Sequence, residues 1–306
     1  MRLLGDLIKK ILRFFKKEPV FVRDLLRIRE ATLDMMRKVN FTEDGHTYQN
    51  VKTGEWLQGV STVSSIIPKD WLSAWGAKEA VKALGYSDFP EDTKLAEEVL
   101  EQIRTCKTVG EYLAILKDAK GASRRKSKDA LVDGKLGHEF LELWVKAKMR
   151  GKELPIIPTG TLERPLKQFI EWAEKEVDSW VLSEARVAYP EKGYAGTLDG
   201  MAIMKTGKLA IIDFKFASHI SEDYFLQTAG YQATFEPYGI KIDERIIVRL
   251  PKTLTLQEWD KQTRTYKIVE NNIEVKKVVS SYELDRDTFF HCLPVKKWIN
   301  LMQNNK

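Results

Sequence analysis

With 306 residues, 43% of them hydrophobic and 31% charged, the chain has an ordinary globular composition and enough apolar side chains to bury a sizeable core. Its net charge of +6 suits a polyanionic partner without requiring one. Two cysteines, Cys106 and Cys292, exclude a disulfide framework or a four-cysteine metal cluster within one chain, and no apolar run approaches the roughly 20 residues that span a bilayer. A soluble protein of a reducing, intracellular compartment with no membrane span is therefore expected.

In chain order, residues 1–17 repeat apolar side chains at Leu4, Leu7, Ile8, Ile11, Leu12 and Phe15 between lysines and arginines, which predicts a basic amphipathic helix. It suits a membrane surface, an organelle address, a partner or the chain's own core. Residues 41–60 read as a small hairpin or meander with turn signals at Asp44-Gly45 and Thr53-Gly54. Residues 71–150 read as mainly helical, broken near Gly85–Pro90 and Gly121. Strands are expected at Glu184–Tyr189, Tyr194–Met204 and Lys208–Ala217, then a helix near Glu222–Phe235 and a strand at Arg245–Leu250. A hairpin turning at Asn271-Asn272 and a closing helix over Asp287–Met302 follow. The divisions expected are an N-terminal helical extension at 1–40, a hairpin and helical region at 41–130, and a core at 131–306.

The chemistry gathers on the strand KLAIIDFKFA. Period two puts Leu209, Ile211, Asp213 and Lys215 on one face and Ala210, Ile212, Phe214 and Phe216 on the other. A buried carboxylate and ammonium must pair, bind metal or line a wet cleft, and alone the tripeptide reads most simply as an ion pair. On the preceding strand Asp199 shares a face with Thr197 between Gly196 and Gly200. Two converging carboxylates are the hard ligands that Mg²⁺ or Mn²⁺ needs, and Lys215 can then orient or deprotonate a metal-bound water or stabilise a phosphate. Upstream, His138 lies with Leu141, Glu142 and Val145 on one helical face, and downstream Gln227 and Tyr231 are four apart on another. A histidine in such a place is commonly structural.

Taken in order, His138 in GKLGHEFLE, Asp199 in AGTLDG, Asp213 and Lys215 in IIDFK, and Gln227 with Tyr231 in QTAGY resemble the RecB-type exonuclease branch of the PD-(D/E)xK nucleases, over about residues 125–250. The region Val60-Ser61-Thr62 followed by Trp71 and Trp75 is similar to the leading segment of phage and mitochondrial exonucleases in that branch. The resemblance implies an α/β restriction-endonuclease-like core: a mixed central sheet with flanking helices in αβββαβ order, helical N-terminal additions, and a C-terminal hairpin and helix. It also implies that His138, Asp199 and Asp213 bind the metal with the Phe214 carbonyl, that Lys215 is the catalytic lysine, that Gln227 and Tyr231 lie near the DNA backbone, and that Glu184 is an accessory acid. Asp213 stands where the family often has Glu, and the four-cysteine cluster of the CRISPR adaptation nucleases is absent from this sequence.

An imidazole beside two carboxylates makes Mn²⁺ competitive with Mg²⁺. Arg124, Arg125, Lys126 and Lys128 either neutralise phosphates or form a solvated helix face, and Trp71 and Trp75 either stack on unpaired bases or pack in the core, the latter being expected. The expected function is a metal-dependent DNA exonuclease using metal-activated water at strand ends or flaps during replication, repair or recombination. Its partner is single-stranded DNA or an end-containing duplex, and a homo-oligomer is one route to processivity. The setting implied is a bacterial or phage-infected cytoplasm, with the mitochondrial matrix as the other. The alternatives are an endonuclease of the same superfamily and an inactive DNA-binding or assembly protein.

Overall fold

A computed structural model describes residues 20–42, 47–88, 92–260 and 262–304. The amphipathic helix expected at 1–17 and the Asp44-Gly45 turn lie outside the described residues. The chain divides into two compact units, one of residues 1–67 and 137–306 and the other of residues 68–136. No helix among the described residues is long and apolar enough to cross a membrane.

The second unit is helical. It holds α3 (Trp71–Ala83), α4 (Lys94–Thr105), α5 (Val109–Lys120) and the beginning of α6 (Ala122–Arg150). Thr108 and Glu111 form a reciprocal capping box that fixes where α5 starts. Trp71 is 43% exposed, so the core packing expected of it is not what it adopts.

The first unit is built on a mixed sheet of eight strands, and the fold is α/β. Helix α1 (Val20–Lys38) precedes β1 (Val39–Thr42), β2 (Thr47–Asn50) and β3 (Trp56–Gly59), and α2 (Val60–Ser64) follows. The remainder of α6 leads to α7 (Glu163–Glu176), β4 (Val177–Tyr189), β5 (Tyr194–Met204), β6 (Leu209–Phe216), α8 (Asp223–Ala233) and β7 (Glu244–Leu250). With α6 as the helix expected within residues 71–150, the order helix, three strands, helix, strand is observed, except that α7, which was not expected, stands between α6 and β4. With β10 at Glu274–Lys277, the strands run β1-β2-β3-β5-β6-β7-β10, with β4 also on β5; the β3/β5 and β6/β7 pairs are parallel and the rest antiparallel.

The alternation on β6 is observed as two cores. Leu209 and Ile211 join a cluster with Ile28 and Met35 of α1, Val63 of α2, and Phe289 of the last helix. Ala210, Ile212, Phe214 and Phe216 join the opposite cluster with Leu141 and Trp144 of α6 and Leu166 and Phe169 of α7. A strand covered on both faces is apolar on both, which is how β6 reads.

Three expected elements differ in extent or pairing. Strand β4 starts at Val177, ahead of the expected Glu184, because β5 pairs with it from there onward and brings the polar Ser179 and Ser183 into the ladder. The closing helix α9 spans Tyr282–Asn304, beginning earlier than Asp287. No hairpin turns at Asn271-Asn272: β9 (Thr265–Glu270) pairs with β8 (Thr255–Asp260), and β10 (Glu274–Lys277) pairs with β7. The C-terminal hairpin is thus β8–β9. Asn271 does other work, since its Oδ1 accepts from Arg249 at 3.2 Å and its Nδ2 donates to Thr253 at 3.2 Å.

Candidate metal centre

Strand β5 creates the site by changing partners. On the side away from β4 it pairs with β3 at Tyr194 and Ala195, then with β6 from Gly200 to Ile203. Residues 196–199 lie between the two ladders, and the β5/β6 ladder stops at Gly200/Ile212. One step beyond, the Phe214 amide donates to Asp199 Oδ2 at 2.7 Å. A carboxylate thus takes over from a ladder carbonyl where the strands part.

Three potential ligands converge there: His138, Glu184 and Asp199 each offer an atom, and the three lie within 4.8 Å of one another. They come from α6, β4 and β5. Among the described residues this is the grouping able to hold a metal ion. Asp213 is outside that trio, although its charge acts on His138 and Glu184. Its carboxylate is fully buried and its Oδ2 faces Lys215 Nζ at 2.8 Å, while neither oxygen accepts a well-directed hydrogen bond. Lys215 also sits over the Tyr224 ring, 5.0 Å from its centroid. The Phe214 side chain is buried in the opposite core, so only its backbone belongs to the site.

Glu184 stands opposite Asp199, between the Ser183/Gly200 and Ala185/Leu198 pairs, with φ at 45°. A non-glycine residue in left-handed backbone inside a strand carries a cost of about 1–2 kcal/mol. The acid is held against both backbone preference and neighbouring charge. Burial, then Asp199 and Glu142, push its carboxyl up to about 8. Glu142, one turn beyond His138 on α6, is itself paired with Lys146.

The other groups obey the same electrostatics. Burial raises Asp213 to about 6 and outweighs Lys215, with Asp199 adding to the rise. Burial also raises Asp199, opposed by Lys215 and the Phe214 amide. His138 is lowered to about 4, by burial first and then by Lys215, so its imidazole is neutral near pH 7 and available as a ligand. For Lys215 burial disfavours charge, yet Asp213 and Asp199 outweigh it and raise the ammonium above its usual range. Several acids share buried space with one ammonium, an arrangement that a divalent cation relieves.

Two glycines permit the packing. A Cβ on Gly137 would stand 2.1 Å from Cζ of Phe216, whose ring meets the His138 imidazole edge-on at 5.3 Å between centroids. A Cβ on Gly196 would stand 2.8 Å from Cε1 of Tyr231. Tyr231 and Gln227 are 3% and 7% exposed, and Gln227 Nε2 donates to Tyr231 Oη at 3.2 Å. The charges of Asp199 and Asp213 act on the Tyr231 phenol, which places α8 beside the acids.

The basic stretch belongs to the other unit. There Arg125 makes a two-pronged pair with Asp118 at 2.8 and 2.9 Å, and Lys126 pairs with Glu79. Arg124 and Lys128 are exposed. Tyr224 escaped the sequence reading, although it lies one helical turn from Gln227; the sequence places Glu142 on the His138 face without a role of its own. A scan against protein-family models and a search of curated proteins both return no match.

Proposed function

We propose that this chain is a metal-dependent deoxyribonuclease of the PD-(D/E)xK superfamily, of the RecB-type branch, cutting phosphodiester bonds as an exonuclease at strand ends or single-stranded flaps. The observation that carries the reading is the meeting of His138, Glu184 and Asp199, drawn from three elements, beside the Asp213–Lys215 pair on a fourth. A purely structural role for these acids predicts saturated hydrogen bonds and relaxed backbone. Asp213 lacks the first and Glu184 the second.

His138, Glu184 and Asp199 are the residues to hold Mg²⁺ or Mn²⁺, with Asp213 adjoining. The ion would supply charge neutralisation and Lewis-acid activation of water. Lys215 is held charged by Asp213 and Asp199, so it neutralises charge on the phosphate oxygens as water attacks phosphorus and the bond to the leaving oxygen breaks. In the metal-free protein that ammonium is charged and is not a proton acceptor. Gln227 and Tyr231, being buried, hold α8 against the forked strand.

The test is digestion of end-labelled linear, circular and flapped DNA in Mg²⁺ and in Mn²⁺. Linear and flapped substrates should shorten from an end, and folded Asp213→Ala and Lys215→Ala proteins should lose cleavage by about a hundredfold or more. Full residual cleavage by either variant refutes the assignment. Cutting of closed circles would make the protein an endonuclease. DNA retention without Mn²⁺ binding in calorimetry would make it a non-catalytic binding protein.

A further inference from the structure

Strands β8 and β9 form a ribbon outside the main sheet, and among the described residues each pairs only with the other. A two-stranded ribbon is marginal in water by itself, so this one depends on what holds its root or covers its faces. The root is clamped. Arg249, 6% exposed, donates through Nη2 to the Asn272 carbonyl at 2.8 Å and pairs through Nε with Glu274 at 3.1 Å, besides its bond to Asn271. From α7, Arg164 Nη2 reaches Glu270 at 2.6 Å and Asn272 Oδ1 at 2.7 Å.

That root adjoins the strand that carries Asp213 and Lys215. Arg249 stands opposite Lys215 in the β6/β7 register, and its Nη1 lies 3.5 Å from the carbonyl of Ala217, two residues past the lysine. The charge of Lys252, two residues past β7, acts on His138. Beyond the root the ribbon is open. Ile268 is 68% exposed in the middle of β9, and Arg264 is an exposed cation at the tip. The tip is held in shape by Asp260 Oδ1, which accepts from the amides of Gln262 and Thr263. Lys267 is already paired with Asp260, so among the described residues of the β8–β9 turn Arg264 is the cation presented outward.

We propose that the β8–β9 ribbon is a binding arm for single-stranded nucleic acid running from the metal centre, with the Ile268 side packing on unpaired bases and Arg264 neutralising a phosphate. The inference rests on the nuclease reading. Each strand of the ribbon has six residues, a length of about 20 Å, which carries contact well beyond the reacting phosphate. An apolar side chain meets base faces only where bases are unpaired, because a duplex offers phosphates and groove edges instead. The pairing of the root's strand with the one that carries Asp213 and Lys215 favours nucleic acid over a protein partner.

The experiment is fluorescence anisotropy with a labelled 20-nucleotide single strand and the matching duplex, without divalent metal, using the full chain and its Ile268→Asp and Arg264→Glu variants. Each variant should weaken single-strand binding by about tenfold, the double variant more, with little change for duplex. Thermal unfolding must match wild type; if Ile268→Asp melts early, Ile268→Thr replaces it and should weaken binding in the same direction. Single-strand affinity within twofold of wild type in the double variant overturns the proposal, as does an equal loss for duplex. Hydrolysis of bis(p-nitrophenyl) phosphate by the wild type in Mn²⁺ reports the metal centre separately. Its absence beside ribbon-dependent strand binding sinks the nuclease reading alone.

Discussion

Glu184→Gln should make the metal-free protein more stable above neutral pH and poorer at binding metal. In the folded state the Glu184 carboxyl titrates at about 8, against 4.5 for the ordinary group. Between those values the folded protein holds a proton that the unfolded chain has released, so stability falls as pH rises through the window. Asp213, at about 6 against 3.8, acts in the same direction at lower pH. His138, at about 4 against 6.5, acts oppositely: the unfolded chain binds the proton and stability rises between those pH values. Below pH 6.5 the effects partly cancel. From 6.5 to 8 Glu184 is the group of the three still titrating, and one proton at about 1.4 kcal/mol per pH unit, fading near the folded value, gives a loss of roughly 1–2 kcal/mol. Urea unfolding in EDTA at half-unit pH steps should show this slope in wild type and its disappearance in Glu184→Gln. With Mn²⁺ the order should reverse, the wild type gaining more. A variant that keeps the wild-type slope, or a wild type with none, would refute the placement of Glu184 among the acids.

Further expectations follow from the same geometry. Gly137→Ala forces the Phe216 ring or the His138 helix to move and should cost about 1–3 kcal/mol by overpacking, with weaker Mn²⁺ binding in calorimetry; an unchanged affinity would detach His138 from the metal. Lys215→Gln leaves the Asp213 carboxylate without its ion pair and should destabilise the metal-free protein at pH 8 by about 3–5 kcal/mol, a deficit that Mn²⁺ reduces. Arg249→Met unclamps the ribbon, so amides of β8 and β9 should exchange faster while those of β5 and β6 stay protected.

Much of the centre was legible because strand periodicity is a local rule. Asp213 and Lys215 share a face two residues apart on β6, with Asp199 on the adjoining strand, and Ile211 and Ile212 signal that both faces are covered. Glu184 was named only through resemblance. Its placement depends on a positive φ within β4, a local departure from the regular strand geometry that period two assumes. The Asn271-Asn272 signal misled for a related reason. A residue pair that favours a tight turn also carries side-chain and carbonyl acceptors, and here a buried arginine from another strand claims them. The exposure of Trp71 likewise depends on tertiary surroundings that helical spacing does not encode.

Phe214 gives the sheet a mechanical role. Its amide holds Asp199 on one side, while on the other its ring meets Phe169 at 5.2 Å and Trp180 at 6.3 Å between centroids. Trp144 completes the aromatic stack at 5.4 Å from Phe169. Because packed interiors transmit strain, a truncation at Phe169, in the core cluster that holds the Phe214 ring, would register at Asp199 through a single peptide unit. Variants selected for firmer packing in that stack should alter the acid constellation as well as the melting point, so the tolerance of the centre to mutation is set partly by residues facing away from it.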